Sequence, residues 1–170
     1  MNYAEIKYCD VANGPGVRTS LFVSGCSHHC PGCFNEIAWD FNYGKPFTQD
    51  TIDSIIESLK PDYIQGLTLL GGEPFEYSNQ KGLLPLVRQV REVLPQKDIW
   101  CYSGYLLDKD MQPGGAVYTE YTKEMLKQID VLIDGEFVEA KKDLTLIFRG
   151  SSNQRIMCLK DGEFAGMWQK

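Results

Sequence analysis

Cys26, Cys30 and Cys33 fall within one short loop, Cys26-Ser27-His28-His29-Cys30-Pro31-Gly32-Cys33, directly after an apolar run. Clustered thiols of this kind bind metal, and with no fourth cysteine in reach they form an incomplete cage. A structural zinc site is closed by four protein ligands, whereas three cysteines hold a four-iron cluster and leave one iron open for chemistry. Two readings follow. In the first, the loop carries an iron–sulfur cluster; in the second, His28 or His29 completes a zinc site. Zinc ligands usually sit in pairs on two separated knuckles, which this loop lacks, so the cluster reading leads and both histidines read as solvated loop residues. Cys9, Cys101 and Cys158 are isolated in sequence and read as buried free thiols.

The elements that must position this loop are legible from apolar patterning. After the turn-forming triplet Gly14-Pro15-Gly16, with Arg18 read as a surface charge, Thr19 to Val23 form a short buried strand that delivers the chain into the cysteine loop. Thr48 caps a helix in which Ile52, Ile55, Ile56 and Leu59 share one face, and Lys60-Pro61 ends it. Leu67 to Leu70 are a second strand, broken by Gly71-Gly72. A longer helix follows, marked by Leu83, Leu84, Leu86, Val87, Val90, Val93 and Leu94. Asp98 to Tyr102 give a third strand, Thr122 to Gln128 a short helix, and Val131 to Asp134 a fourth strand.

Strands alternating with helices predict right-handed βαβ crossovers and a parallel sheet. Ligands collect at the C-terminal ends of such strands. Three unusual loops occupy that edge: the cysteine loop, Gly71-Gly72-Glu73-Pro74 and Ser103-Gly104-Tyr105. Beyond Gly135, Thr145 to Phe148 and Arg155 to Leu159 read as edge strands, with Asp161-Gly162 as a hairpin turn. No boundary divides the chain, so a single domain over residues 1–170 is expected.

Composition narrows the function. A net charge of −6 argues against a protein that grips a phosphate backbone, and no apolar run is long enough to span a bilayer. The N-terminal residues carry no basic leader followed by an apolar segment, and clustered thiols fit a reducing compartment, so the cytoplasm is expected. Neither nucleic acid nor membrane is expected as a partner.

The C-x3-C-x2-C spacing together with Gly71-Gly72-Glu73-Pro74 at a strand end resembles the radical S-adenosylmethionine (SAM) superfamily. That resemblance implies a partial, open TIM-like barrel of βα units, here with C-terminal edge strands. It implies that Cys26, Cys30 and Cys33 ligate a 4Fe-4S cluster whose fourth iron is chelated by SAM, and that Gly71, Gly72 and Glu73 meet the methionine ammonium. It also places Gly32, Cys33 and Phe34 along the cofactor, with the Phe34 ring against adenine, and makes Ser103 a polar contact to SAM.

Asn13-Gly14-Pro15-Gly16-Val17-Arg18 is similar to the Asp-Gly-Pro-Gly-Ile/Val-Arg element of glycyl-radical-enzyme activases, with Asn13 in place of the common Asp. Cys30-Pro31-Gly32-Cys33-Phe34-Asn35, with Trp39 and Gly44-Lys45-Pro46-Phe47-Thr48, looks most like the branch that activates anaerobic ribonucleotide reductases. Phe34 stands where that branch usually has Tyr. The implied reaction is reductive cleavage of SAM to a 5′-deoxyadenosyl radical that takes a hydrogen atom from a glycine of anaerobic ribonucleoside-triphosphate reductase. The implied electron donor is a protein such as reduced flavodoxin, and the cofactor chemistry requires no catalytic acid or base. Two alternatives stand beside this: activation of another glycyl radical enzyme, of the formate-lyase type, and a non-catalytic zinc or iron–sulfur binding module.

Overall fold

A computed structural model describes all residues, Met1–Lys170, as a mixed α/β structure built on one open, eight-stranded sheet. The strands are β1 (Asn2–Asp10), β2 (Val17–Val23), β3 (Lys45–Pro46), β4 (Ile64–Gly71), β5 (Asp98–Tyr102), β6 (Val131–Asp134), β7 (Arg155–Lys160) and β8 (Glu163–Met167). Their order is β3-β1-β2-β4-β5-β6-β7-β8. The inner pairs β2·β4, β4·β5 and β5·β6 are parallel, as the strand–helix alternation predicts. Antiparallel strands flank them on both sides.

Helices α1 (Gln49–Leu59), α2 (Tyr77–Val93) and α3 (Thr122–Gln128) cover one face of the sheet. Alternate strand residues Leu21, Val23, Leu67, Leu69, Ile99, Cys101 and Leu132 form the main core with the helices' apolar stripes. Thr48 caps α1 reciprocally: its hydroxyl accepts from the Thr51 amide, and the Thr51 hydroxyl accepts from the Thr48 amide. Thr48→Ala is therefore expected to cost about 1 kcal/mol, read as a lower urea midpoint at unchanged m-value. α2 begins six residues before its first predicted apolar position, Leu83. Its first turns bury Asn79 and Gln80, polar residues that bond loop carbonyls and so carry no apolar signal.

The opposite face carries a buried polar centre. Arg18 is fully buried rather than on the surface. Its guanidinium donates to Thr68 Oγ1 (2.7 Å), the Leu67 carbonyl (3.0 Å), the Pro15 carbonyl (3.2 Å) and Asp98 Oδ1 (2.5 Å), and lies 5.5 Å from the Trp100 ring centroid. The Thr68 hydroxyl in turn donates to the Asn13 carbonyl at 2.9 Å. Together these bonds pin the Asn13–Gly16 turn onto the sheet. Beside them Trp100, Phe148 and Trp168 pack edge to face or tilted, with centroids 5.2–5.7 Å apart.

Two further expectations are corrected, and one strand is new. Thr145 to Phe148 are not a strand but a bend, because Phe148 adopts φ +58° and turns its ring onto Trp100. β1 is an unforeseen strand; register shifts at Tyr3/Glu5 and Lys7/Asp10 interrupt its period of two. Cys9 is exposed, and only Cys101 of the three isolated cysteines is fully buried. The Asp161-Gly162 turn does form, with both residues at positive φ (53° and 81°), the geometry of a type I′ hairpin between β7 and β8.

Candidate functional site

The C-terminal ends of β2, β4, β5 and β6 open onto one cavity of about 690 Å³. Cys26, Cys30, Cys33, Phe34, Gly71, Gly72, Glu73 and Ser103 all line it. Parallel pairing explains the convergence, since strands in register end at one edge and release their loops side by side. Of the predicted positions only Gly32 is outside the wall. It holds φ +75° in the turn that closes Cys33 N–H onto the Cys30 carbonyl (3.1 Å).

The Gly71–Glu73 backbone runs against the end of β2: Gly72 N–H donates to the Val23 carbonyl (2.7 Å) and Glu73 N–H to the Gly25 carbonyl (2.8 Å). A Cβ on Gly72 would stand 2.5 Å from the Gly25 oxygen, so no larger residue fits. Glu73 itself is 1% exposed and its carboxylate is a hub. Oε1 accepts from the Phe75 amide (3.0 Å) and Ser103 Oγ (2.7 Å), and Oε2 from the Gly104 amide (2.8 Å) and His28 Nε2 (3.0 Å). One side chain thus ties the β4 loop, the β5 loop and the cysteine loop together. Asn79 adds to this by donating to the carbonyls of Ser24 and Glu73.

The cysteine loop is held at every residue between the first two thiols. Ser27 bonds Glu76 through both its amide (2.8 Å) and its hydroxyl (2.6 Å). The His28 side chain is 6% exposed, and its second nitrogen, Nδ1, meets Glu136 Oε1 at 2.8 Å. Burial opposes a charge on this ring, but Glu73 and then Glu136 outweigh it and push its pKa up to about 9. Both nitrogens therefore act as donors at neutral pH. His29, at φ +50°, stacks on Trp39 with centroids 4.4 Å apart.

His28 has no free nitrogen to offer a metal in this arrangement, since both are committed to carboxylates. No three His, Cys, Asp or Glu side chains are gathered closely enough to hold a single ion. Zinc would need its thiolates about 2.3 Å from one centre, whereas a cluster spreads three cysteines over three irons. The residues present fit a 4Fe-4S cluster on the donor set, on the cavity, and on a buried indole N–H of Trp39 that has no protein acceptor. Burial, aided by the charge of Glu73, pushes the Cys26 thiol up to about 12, and burial followed by Glu136 raises Cys30. Coordination to iron overrides such shifts by removing the proton outright.

Sequence reasoning missed Arg149 and Phe137 and gave His28 and Glu136 no role in the site. Arg149 lines the cavity and spends only Nη1 on the Gln154 and Ser152 carbonyls. Phe137 packs on Phe34, centroids 5.0 Å apart. Glu136 and His28 reach each other across 108 residues, a separation that leaves no local pattern to read.

A cavity walled by three cysteines at the ends of parallel strands defines the class, a single-cluster iron–sulfur protein, and residues 12–157 match the 4Fe-4S single cluster domain family. Curated relatives carry the name anaerobic ribonucleoside-triphosphate reductase-activating protein. The Escherichia coli K12 protein is 43% identical over 162 residues, covering 94% of this chain and 100% of its own length. That of Haemophilus influenzae is 44% identical over 158 residues (92% and 97%), and that of phage T4 is 41% identical over 162 residues (95% and 97%). The chain belongs to this family of activating proteins.

Proposed function

We propose that this protein is a radical SAM activase that installs a glycyl radical on anaerobic ribonucleoside-triphosphate reductase. The observation that carries the proposal is the placement of the three-cysteine loop and the Gly71–Pro74 loop on the walls of one cavity. In this reading Cys26, Cys30 and Cys33 hold a 4Fe-4S cluster. When bound, it supplies the electron for reductive cleavage of SAM, and the hydrogen atom finally removed comes from a glycine Cα of the reductase.

The chain's own residues bind and orient. The backbone at Gly71-Gly72 meets the methionine ammonium, and Glu73, holding four donors, fixes that loop rather than lending a free charge. Ser103 serves through the same hub. Gly32 shapes the turn that sets Cys33, and the Phe34 ring, braced by Phe137, offers a face to adenine. The remaining donors of Arg149 suit the methionine carboxylate.

The fold is read as a single-domain partial barrel over residues 1–170. Its concave face, lined by Phe22, Leu70 and Tyr102, leads from the Asn13 turn to the cysteines. No helix is long and apolar enough to cross a membrane. A cytoplasmic setting and a flavodoxin-type donor complete the proposal.

The test is anaerobic reconstitution with iron and sulfide, reduction, and addition of SAM with either the reductase or a formate-lyase-type enzyme. The expected result is 5′-deoxyadenosine together with a glycyl radical on the reductase and none on the lyase. Tightly held zinc with no 5′-deoxyadenosine would overturn it.

A further inference from the structure

Three buried side-chain polar atoms lack any partner: Trp39 Nε1, Asn79 Oδ1 and Asn153 Oδ1. Only the first is a donor, and only Trp39 borders the cavity. A buried N–H without an acceptor costs about 1–3 kcal/mol, and native structures rarely leave one unmet. The surrounding wall shows no such neglect, since the Glu73 carboxylate and both His28 nitrogens are fully paired.

The chain holds Trp39 in place from two sides. Gly25 N–H donates to the Ala38 carbonyl (2.7 Å) and Cys26 N–H to the Trp39 carbonyl (3.2 Å), which sets Trp39 beside the first cysteine. Its ring is stacked on His29 at an interplanar angle of 11°, directly before the second cysteine. The indole is therefore fixed against the cysteine loop with its N–H lacking a protein acceptor.

We propose that the Trp39 indole N–H donates a hydrogen bond to a sulfur of the iron–sulfur cluster. This rests on the cluster assignment above. The sulfides and thiolates of a cluster are anionic acceptors, and a hydrogen bond to them stabilises the reduced, more negative state and raises the reduction potential. Trp39 thus eases loading of the electron that the site must accept.

The experiment uses reconstituted protein in which tryptophan carries an ¹⁵N indole. In the reduced state, pulsed electron paramagnetic resonance is expected to detect ¹⁵N coupled to the cluster. Trp39→Phe keeps a ring to stack on His29 and removes only the donor. It is expected to retain full iron and sulfide, lose the coupling, and shift the reduction equilibrium about tenfold toward the oxidised state, which is about 59 mV for one electron.

A loaded, unaltered cluster with no ¹⁵N coupling overturns this inference and leaves the activase reading standing. So does an unchanged potential in a loaded Trp39→Phe protein. Because the labelled, unaltered protein decides by itself, poor folding of the variant does not shelter the idea. Failure of the unaltered protein to bind four irons would instead overturn the activase reading.

Discussion

Cys30→Ala is expected to abolish cluster binding and all SAM cleavage while leaving the fold intact. Cys30 lies outside every helix and strand and is only half buried, so removing one sulfur costs the core nothing. The cage has no reserve, because the three remaining cysteines, at 9, 101 and 158, do not line the cavity. Iron and sulfide content after anaerobic reconstitution, 5′-deoxyadenosine yield and the urea midpoint of the metal-free protein read the three claims separately. His29→Ala is the contrasting variant: it removes a stacked ring, not a ligand, and should retain iron. Loss of metal in His29→Ala as well as in Cys30→Ala would restore the zinc reading.

The second large effect is structural. Glu73→Ala deletes an acceptor that four donors share and strands a charged His28 ring near Glu136 alone. Removing one member of a buried, hydrogen-bonded charge pair costs about 3–5 kcal/mol, and here two loop amides and a hydroxyl also lose their partner. The metal-free variant is therefore expected to unfold at distinctly lower urea. Glu73→Gln, which preserves one acceptor oxygen for Phe75 and Ser103, should fall between. A loss below about 1 kcal/mol for Glu73→Ala, the net worth of one ordinary hydrogen bond, would show that the hub does not hold the loops.

Where a residue's role depends on local pattern, the sequence disclosed it. The parallel strands, the Thr48 cap, the cysteine loop and the placement of the glycine-rich loop opposite it all follow from periodicity, turn chemistry and the strand-end rule. Where a role depends on a distant partner, nothing local marks it. Arg18 reads as a surface charge until Thr68 and Asp98 close around it, 50 and 80 residues away. His28 reads as solvated until Glu73 and Glu136 take both its nitrogens. Glu73 reads as a free carboxylate facing a ligand, although its four donors come from three of the loops that form the wall. Phe148 has strand propensity that its own positive φ overrides, because packing against Trp100 decides its place.

These distant ties give the site its rigidity. The cavity wall assembles from loops after four different strands, and each loop is bonded to another through a buried side chain rather than through regular secondary structure. In the proposed function such a wall would fix SAM and a partner's glycine in one orientation, the protein's share of a reaction whose bond-breaking step belongs to the cofactor.

Isotope transfer reports whether the hydrogen atom passes from the reductase glycine to the cofactor-derived product. The reductase is prepared with glycine deuterated at Cα and incubated anaerobically with the reconstituted, reduced protein and SAM. The 5′-deoxyadenosine formed is expected to carry one deuterium, in step with the appearance of a glycyl radical on the reductase. Unlabelled 5′-deoxyadenosine alongside that radical, or the radical formed without SAM, would contradict that transfer.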